Sequence, residues 1–213
     1  MSGAEASGRN SRGGWLGPAL WGALAVGVAG VLYVTGAASI KPDDGSPKPV
    51  AQKELERLAA GELAKLEVAP AKRAAPGTPF TGPEGGAVRV ADYGGEVLVV
   101  NLWATWCPPC KTEMPSLARL QAAYPDRSVR VIAVSIDGPK KLDEARAFIG
   151  ANAPLEFHHS ADAALAWALN AKAFPTTVIY DRQGFERARL SRPIEWDGAD
   201  ARRLLDRLAA DPA

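Results

Sequence analysis

The sequence predicts an α/β domain built on a largely parallel sheet and preceded by one transmembrane helix. Strand-like and helix-like patterns alternate from about residue 97 towards the C-terminus of the 213-residue chain, the order that favours such a sheet. A stretch of 28 residues without charge, 13–40, comes before them. It is longer than the roughly 20 residues that cross a bilayer.

The strand signal is clearest in Val97–Trp103, an apolar run rich in β-branched residues, typical of a strand buried on both faces. The other predicted strands are Val129–Ile136, Thr177–Tyr180 and Phe185–Leu190, with the last two joined as a hairpin through residues 182–184. The predicted helices are Lys111–Tyr124, Leu142–Ala151, Ala161–Leu169 and Gly198–Ala210.

The N-terminal third divides into four parts. Arg9 and Arg12 precede the apolar stretch, so the positive-inside rule makes residues 1–12 a cytoplasmic tail and 13–40 the anchor. A cleavable signal peptide is the alternative, although the run exceeds the usual apolar region of about 7–15 residues. Residues 41–75 are predicted as a linker with a short amphipathic helix, Val50–Leu66, and residues 69–83 as a proline-rich connector. Residues 76–213 form the main domain.

Cys107 and Cys110 are the only cysteines, and they stand as C-x-x-C where the first strand meets a helix. Such a pair can be the redox centre of a dithiol catalyst or supply two ligands of a zinc site. A structural zinc site needs four ligands, so two more would have to come from elsewhere in the chain. His158 and His159 are the only histidines, and neighbours on a strand point to opposite faces. Redox chemistry is therefore favoured, no metal site is predicted, and the histidines are interpreted as structural.

The position of Cys107 at a helix start favours its thiolate and predicts a solvent-facing nucleophile. Cys110 lies one turn further in and suits the resolving thiol. Pro108 and Pro109 fit the first turn, where N–H groups have no helical partners, but they also remove donors from the thiolate. We therefore expect a higher Cys107 pKa than with an N–H there, and a disulfide that is harder to reduce. Pro115 is expected to kink the helix.

Residues 99–115, VVNLWATWCPPCKTEMP, resemble the active-site segment of TlpA-like membrane-anchored thioredoxin-fold thiol:disulfide interchange proteins. Matching segments follow the same order at residues 92–95, 131–137, 174–184 and 193–196, so the resemblance covers about residues 76–213. It implies a thioredoxin fold with a central insert, about Gly138 to Ala171. It also implies a redox-active Cys107–Cys110 disulfide with no other cofactor.

The resemblance places Pro175 in a cis-proline loop beside the cysteines. The residues expected to bind substrate are Trp106, Pro108, Pro109, Phe174, Pro175 and Thr176. Trp103 is expected in the core, and Trp196 has no predicted role beyond packing.

Glu113 is the third candidate catalytic residue. Asn101 occupies the position where ordinary thioredoxins carry a buried aspartate, so no carboxylate is available there. Glu113 follows Cys110 by one helical turn and could accept its proton, especially if burial raises the glutamate pKa. The alternative is a surface glutamate near a helix start.

These features favour a periplasmic protein-disulfide reductase, a single-pass protein of the inner membrane. The resemblance implies a transmembrane electron donor of the DsbD or CcdA type and substrates whose metal-site cysteines serve cytochrome oxidase copper centres or cytochrome c. A disulfide-introducing oxidase and a copper-binding chaperone are the alternatives. A peroxiredoxin is disfavoured, because its proline and threonine do not precede Cys107. With a net charge of +1, nothing recommends a nucleic-acid partner.

Overall fold

The computed structural model describes residues 50–211, so the predicted cytoplasmic tail and anchor lie outside the described residues. The helices are α1 (Gln52–Leu58), α2 (Pro108–Ala122), α3 (Leu142–Gly150), α4 (Ala164–Ala168) and α5 (Ala199–Ala209). The strands are β1 (Glu67–Ala74), β2 (Phe80–Thr81), β3 (Ala87–Val88), β4 (Val97–Trp103), β5 (Val129–Ser135), β6 (His158–His159), β7 (Thr176–Tyr180) and β8 (Phe185–Leu190). Between residues 50 and 211, no helix combines the length and hydropathy needed to cross a membrane.

The strands form one sheet in the order β1-β8-β7-β4-β5-β6-β2-β3. Among these described strands, only the β4–β5 and β5–β6 pairs are parallel, and the other pairs are antiparallel. The prediction of a largely parallel sheet was therefore wrong. Alternating helix and strand patterns identify the parallel strands β4, β5 and β6, but β7, β8 and the three strands before β4 all enter the sheet through antiparallel pairs.

β4 lies at the centre of the sheet, and all seven of its residues are buried, as predicted. Val99 and Trp103 face a core formed with α2 and α5, whereas Leu98 and Val100 face a second core formed with α4. The segment between β5 and β7 holds α3, β6 and α4, which is the predicted insert. Both faces of the sheet are thus covered, and the carboxyl end of β4 meets the start of α2.

The region before β2 departs from the prediction. The helix expected over Val50–Leu66 ends at Leu58 and is followed by a separate 3₁₀ turn, Gly61–Leu63, in which Gly61 has φ +58°. The connector expected from residue 69 begins inside β1, which pairs antiparallel with β8 through an irregular register between Val68 and Arg73. Pro70 lies in that irregularity, because proline has no N–H for a regular ladder.

The helix predicted over Ala161–Leu169 is also divided. A 3₁₀ turn, Ala161–Ala163, precedes α4. Asp162 and Ala163 both adopt left-handed backbone conformations, with φ of 52° and 53°, which a continuous right-handed helix cannot contain.

Candidate active site at the start of α2

The strand-to-helix junction places the cysteine pair. β4 ends at Trp103, three residues follow, and Cys107 is the N-cap of α2. Cys107 and Cys110 are joined as a disulfide. The Cys110 N–H donates to Cys107 Sγ at 3.3 Å. Because Pro108 and Pro109 have no N–H, Cys110 supplies the first backbone donor of the helix.

Cys107 is more deeply placed than the sequence predicted. Its exposed fraction in the disulfide form is 4%, against 0% for Cys110. The prediction that Cys107 faces solvent was wrong in this form, because the N-cap side chain turns back over the helix start. Trp106, Pro108 and Pro109 are exposed around it, so these residues form the accessible surface of the motif.

The loop between β4 and α2 is held by a buried carboxylate, Asp137. The Thr105 backbone N–H donates to both carboxylate oxygens at 2.9 and 3.1 Å, and the Thr105 hydroxyl donates at 2.7 Å. The Ser135 hydroxyl adds a fourth bond at 2.9 Å. Because Asp137 lies two residues after the end of β5, these bonds fix Thr105 to the sheet.

An aromatic pair stands beside the cysteines. Trp106 has an exposed fraction of 61%, and its ring meets Phe174 edge-on at 5.9 Å. The Phe174–Pro175 peptide bond is cis, which confirms the predicted cis-proline loop. Thr176 is buried, and its hydroxyl donates to the Ala173 carbonyl at 2.7 Å. Its role is thus to hold the loop, while Trp106 and half-buried Phe174 offer apolar surface.

Glu113 lies at the rear of the motif, with an exposed fraction of 1%. Asn101 Nδ2 donates to Oε1 at 2.7 Å, while the Trp196 indole and the Ile194 N–H donate to Oε2 at 3.2 and 3.3 Å. Burial raises the Glu113 pKa to about 7, and these three hydrogen bonds lower it only in part. The alternative of a surface glutamate was therefore wrong.

A family match covers more than half of the chain. Residues 71–188, 118 of the 213, match the model of the AhpC/TSA family. The chain belongs to the AhpC/TSA family. Within this family domain, the C-x-x-C disulfide and buried Glu113 define what the site can do.

Curated relatives of this AhpC/TSA domain include proteins named thiol-disulfide oxidoreductase ResA and a thioredoxin-like protein. The chain is 31% identical over 111 residues to ResA of Geobacillus kaustophilus, covering 52% of this chain and 63% of the relative. It is 36% identical over 95 residues to the thioredoxin-like protein YneN of Bacillus subtilis, covering 44% and 55%. The chain thus spans less than two thirds of these relatives. The resemblance to TlpA-like proteins is confirmed.

Solved structures support the thioredoxin fold. A candidate thiol:disulfide interchange protein DsbE from Chlorobium tepidum superposes with a TM-score of 0.56 at 26% identity, covering 65% of this chain and 96% of the other. The thioredoxin domain of a Bacteroides vulgatus thiol-disulfide oxidoreductase gives 0.56 at 19% identity, covering 66% and 99%. The second similarity concerns the fold alone.

Two residues at the site of this AhpC/TSA domain were not predicted from the sequence to have a role there. Trp196 received only a packing role, yet its indole N–H binds the Glu113 carboxyl across 83 residues of sequence. Asp137 was seen only as part of a matching strand segment. A usable signal was its place at the carboxyl end of a buried strand, next in the sheet to β4.

The histidines take structural places. His158 contacts the Glu156 carbonyl through Nδ1 at 3.1 Å, and His159 Nε2 bonds the Asp137 carbonyl at 2.8 Å. In residues 50–211, His, Cys, Asp and Glu side chains form no group of three or more that could hold a metal ion. Trp103 is fully buried and packs on Phe148 at 5.3 Å, which agrees with its predicted place in the core.

Proposed function

We propose that this protein is a membrane-tethered thiol:disulfide oxidoreductase that reduces protein disulfides on the periplasmic side of the inner membrane. One observation carries the proposal. A C-x-x-C pair caps a helix, and Glu113, one turn behind Cys110, has a pKa raised to about 7. A carboxyl group with that pKa can both accept and return a proton near neutral pH.

The reaction begins with the reduced protein. The Cys107 thiolate attacks one sulfur of the substrate disulfide, the S–S bond breaks, and a mixed disulfide forms while the other substrate sulfur leaves as a thiol. The α2 N-terminus and the Cys110 N–H stabilise the attacking thiolate. The same N–H donates to Cys107 Sγ at 3.3 Å in the disulfide form.

The second half needs a thiolate at Cys110, which is fully buried. Burial disfavours the charged form, so a nearby base must take its proton. Glu113 accepts this proton, Cys110 attacks Cys107 Sγ, and the second substrate sulfur leaves and is protonated. The products are a substrate dithiol and the Cys107–Cys110 disulfide, which balances two electrons and two protons.

The substrate surface consists of Trp106, Phe174, Pro108 and Pro109. The two rings offer apolar contact, and the cis-proline loop leaves neighbouring backbone groups free to pair with an extended segment of substrate. Neither the rings nor the prolines select one sequence. This arrangement suits an unfolded or flexible cysteine-bearing segment.

The membrane location and the partners rest on the sequence. Residues 13–40 supply the anchor, and the oxidising compartment requires electrons from across the membrane. We assign these to a transmembrane donor of the DsbD or CcdA type. The substrates are cysteines kept reduced for copper insertion into cytochrome oxidase or for cytochrome c assembly, as the TlpA-like resemblance implies.

The direction of the reaction favours reduction. With prolines at the first two helical positions, a single backbone N–H supports the Cys107 thiolate. Weaker support for the reduced form lowers the reduction potential. We expect a potential near the value of about −270 mV typical of reducing thioredoxins, against about −120 mV for strong oxidants.

Two measurements on the membrane-bound full chain test the proposal. Cys110→Ser should trap substrates as mixed disulfides on Cys107, and Cys107→Ser should trap none in the same cells. A glutathione or dithiothreitol redox titration gives the potential. A value near −120 mV, or equal trapping by both variants, would overturn the reductase assignment.

A further inference from the structure

The two polar atoms of the Asn101 side chain, behind the cysteines, differ in their hydrogen bonds. Its side chain is fully buried, and Nδ2 donates to Glu113 Oε1 at 2.7 Å and to Thr177 Oγ1 at 2.9 Å. Its carbonyl Oδ1 is buried without a hydrogen-bond partner within residues 50–211. A buried amide thus presents only donors to the carboxyl group that is to gain a proton.

The two oxygens of Glu113 differ in where a proton can go. Oε2 receives the Trp196 indole N–H and the Ile194 backbone N–H, and neither of these groups can accept a hydrogen bond. A proton on Oε2 would meet two donors. The proton must therefore reside on Oε1, where it faces Asn101 Nδ2, which is also a donor in this orientation.

We propose that Asn101 is a positioning residue whose amide turns over when Glu113 is protonated, so that Oδ1 replaces Nδ2 opposite Oε1. The Glu113 O–H then donates to Oδ1. The Thr177 hydroxyl can donate or accept, so it bonds the amide in either orientation. This role rests on the proposed function, in which Glu113 receives the proton of Cys110.

The turn is feasible because the two ends of the amide are nearly equal in shape, and the terminal torsion of asparagine is soft and roughly two-fold. In the described orientation, the end that faces away from Glu113 is Oδ1, which has no hydrogen-bond partner in the described part of the chain. The amide therefore gives up no hydrogen bond of Oδ1 when it turns, and the protonation state of Glu113 decides the orientation.

The charged groups around Glu113 leave this coupling undisturbed. β4 carries no charged side chain, and β7 contributes the neutral Thr177 on this side. On α2, Lys111 is exposed, and exposed Arg119 pairs with Glu195 and Asp197 of the segment before α5. Arg192 of that segment is partly exposed.

Nuclear magnetic resonance of the oxidised protein tests the proposal without relying on activity. The side-chain amide signals of Asn101 should titrate with the same midpoint as the Glu113 carboxyl carbon. In the Glu113→Gln variant, the introduced side-chain amide should donate to Asn101 Oδ1 and hold the turned orientation. The Asn101 signals should then be independent of pH and match those of the unmodified protein at low pH.

A further pair of variants tests whether Asn101 influences the Glu113 pKa. Asn101→Leu removes donor and acceptor while keeping the number and branching of side-chain heavy atoms, and it should raise the Glu113 pKa by about one unit, because the carboxylate loses its shortest hydrogen bond. Thr177→Val, the matched control, should leave that midpoint nearly unchanged. The inference is overturned if the Asn101 amide protons keep their contact with the Glu113 side chain and Thr177 at both ends of the titration. Missing substrate trapping with a normal Asn101 titration would instead count against the proposed function.

Discussion

Glu113 and Glu186 are both buried carboxylates of the same domain, and they differ in what surrounds them. Glu186 on β8 meets Arg189 through two bonds of 2.7 and 2.9 Å, with Arg73 at 3.5 Å. Glu113 meets neutral donors, from Asn101, Ile194 and Trp196.

The difference between the two sites is a counterion. Glu186 is half of an ion pair with Arg189 that holds β8. Neutral N–H groups compensate burial less completely, and the Glu113 pKa accordingly rises to about 7. The domain therefore places a carboxyl group of raised pKa one helical turn behind Cys110, and holds the other carboxylate in an ion pair in the sheet.

The largest effect is expected when the ion pair between Glu186 and Arg189 is broken. Glu186→Gln should lower the free energy of unfolding by about 3–5 kcal/mol, because Arg189 loses its carboxylate in a largely buried place. Urea unfolding measures this. Arg73→Gln is the matched control, since that arginine is mostly exposed, and its cost should stay below about 1 kcal/mol. Equal costs for both variants would refute the contrast, and thiol–disulfide exchange should be unchanged in each.

The pH dependence of stability tests the other carboxylate. Glu113 releases its proton near 4.5 when unfolded and near 7 when folded, so between these values the unfolded chain binds fewer protons. Rising pH then favours unfolding. We expect the oxidised protein to lose about 3 kcal/mol relative to Glu113→Gln from pH 4.5 to 7. Parallel urea-stability profiles of the two proteins would contradict a raised pKa.

Catalysis should respond next. At pH 7, Glu113→Gln should slow release of the mixed disulfide about tenfold to a hundredfold, because the variant removes the group proposed to accept the Cys110 proton. The difference in rate between the variant and the unmodified protein should shrink at about pH 9, where hydroxide can take the Cys110 proton instead. Stopped-flow kinetics with a peptide disulfide measures the step. Glu144→Gln, an exposed glutamate on α3, is the control and should react like the unmodified protein. A slow rate that persists unchanged at high pH would argue against proton transfer.

The smallest effect concerns the helix start. Pro109→Ala, and to a lesser degree Pro108→Val, restores a backbone N–H near Cys107. The Cys107 pKa should fall by about half a unit, and the reduction potential should rise by about 15 mV. Thiolate absorbance against pH and a redox titration measure both. Pro115→Ala, later in α2, should change neither. A raised Cys107 pKa in the first two variants would contradict the hydrogen-bond argument.

The sequence predicted those parts of the fold in which a local pattern decides the structure. β4 and the start of α2 follow from an apolar run and a C-x-x-C motif with prolines. β1 was missed because Pro70 and its neighbours look like a connector, and only pairing with β8 makes a strand of them. β6 has two residues, too few for any periodicity.

In the candidate site too, the sequence predicted the residues that are related by local spacing and not their tertiary contacts. Glu113 was found from its spacing, since one helical turn is a local relation. Its contact with Asn101 requires α2 to pack on β4, and its contact with Trp196 requires the C-terminal segment to cross α2. Such partners are set by tertiary packing, which no short window of sequence contains.

The donors that Trp196 and Ile194 supply also set a time at which the site becomes complete. Glu113 and Trp196 are 83 residues apart, so a ribosome that adds about 5–20 residues per second makes the indole about 4–17 s after the glutamate. Until then the Glu113 carboxyl group lacks two of its three hydrogen-bond donors. The buried environment of this carboxyl group is therefore complete only after the chain has been made through residue 196.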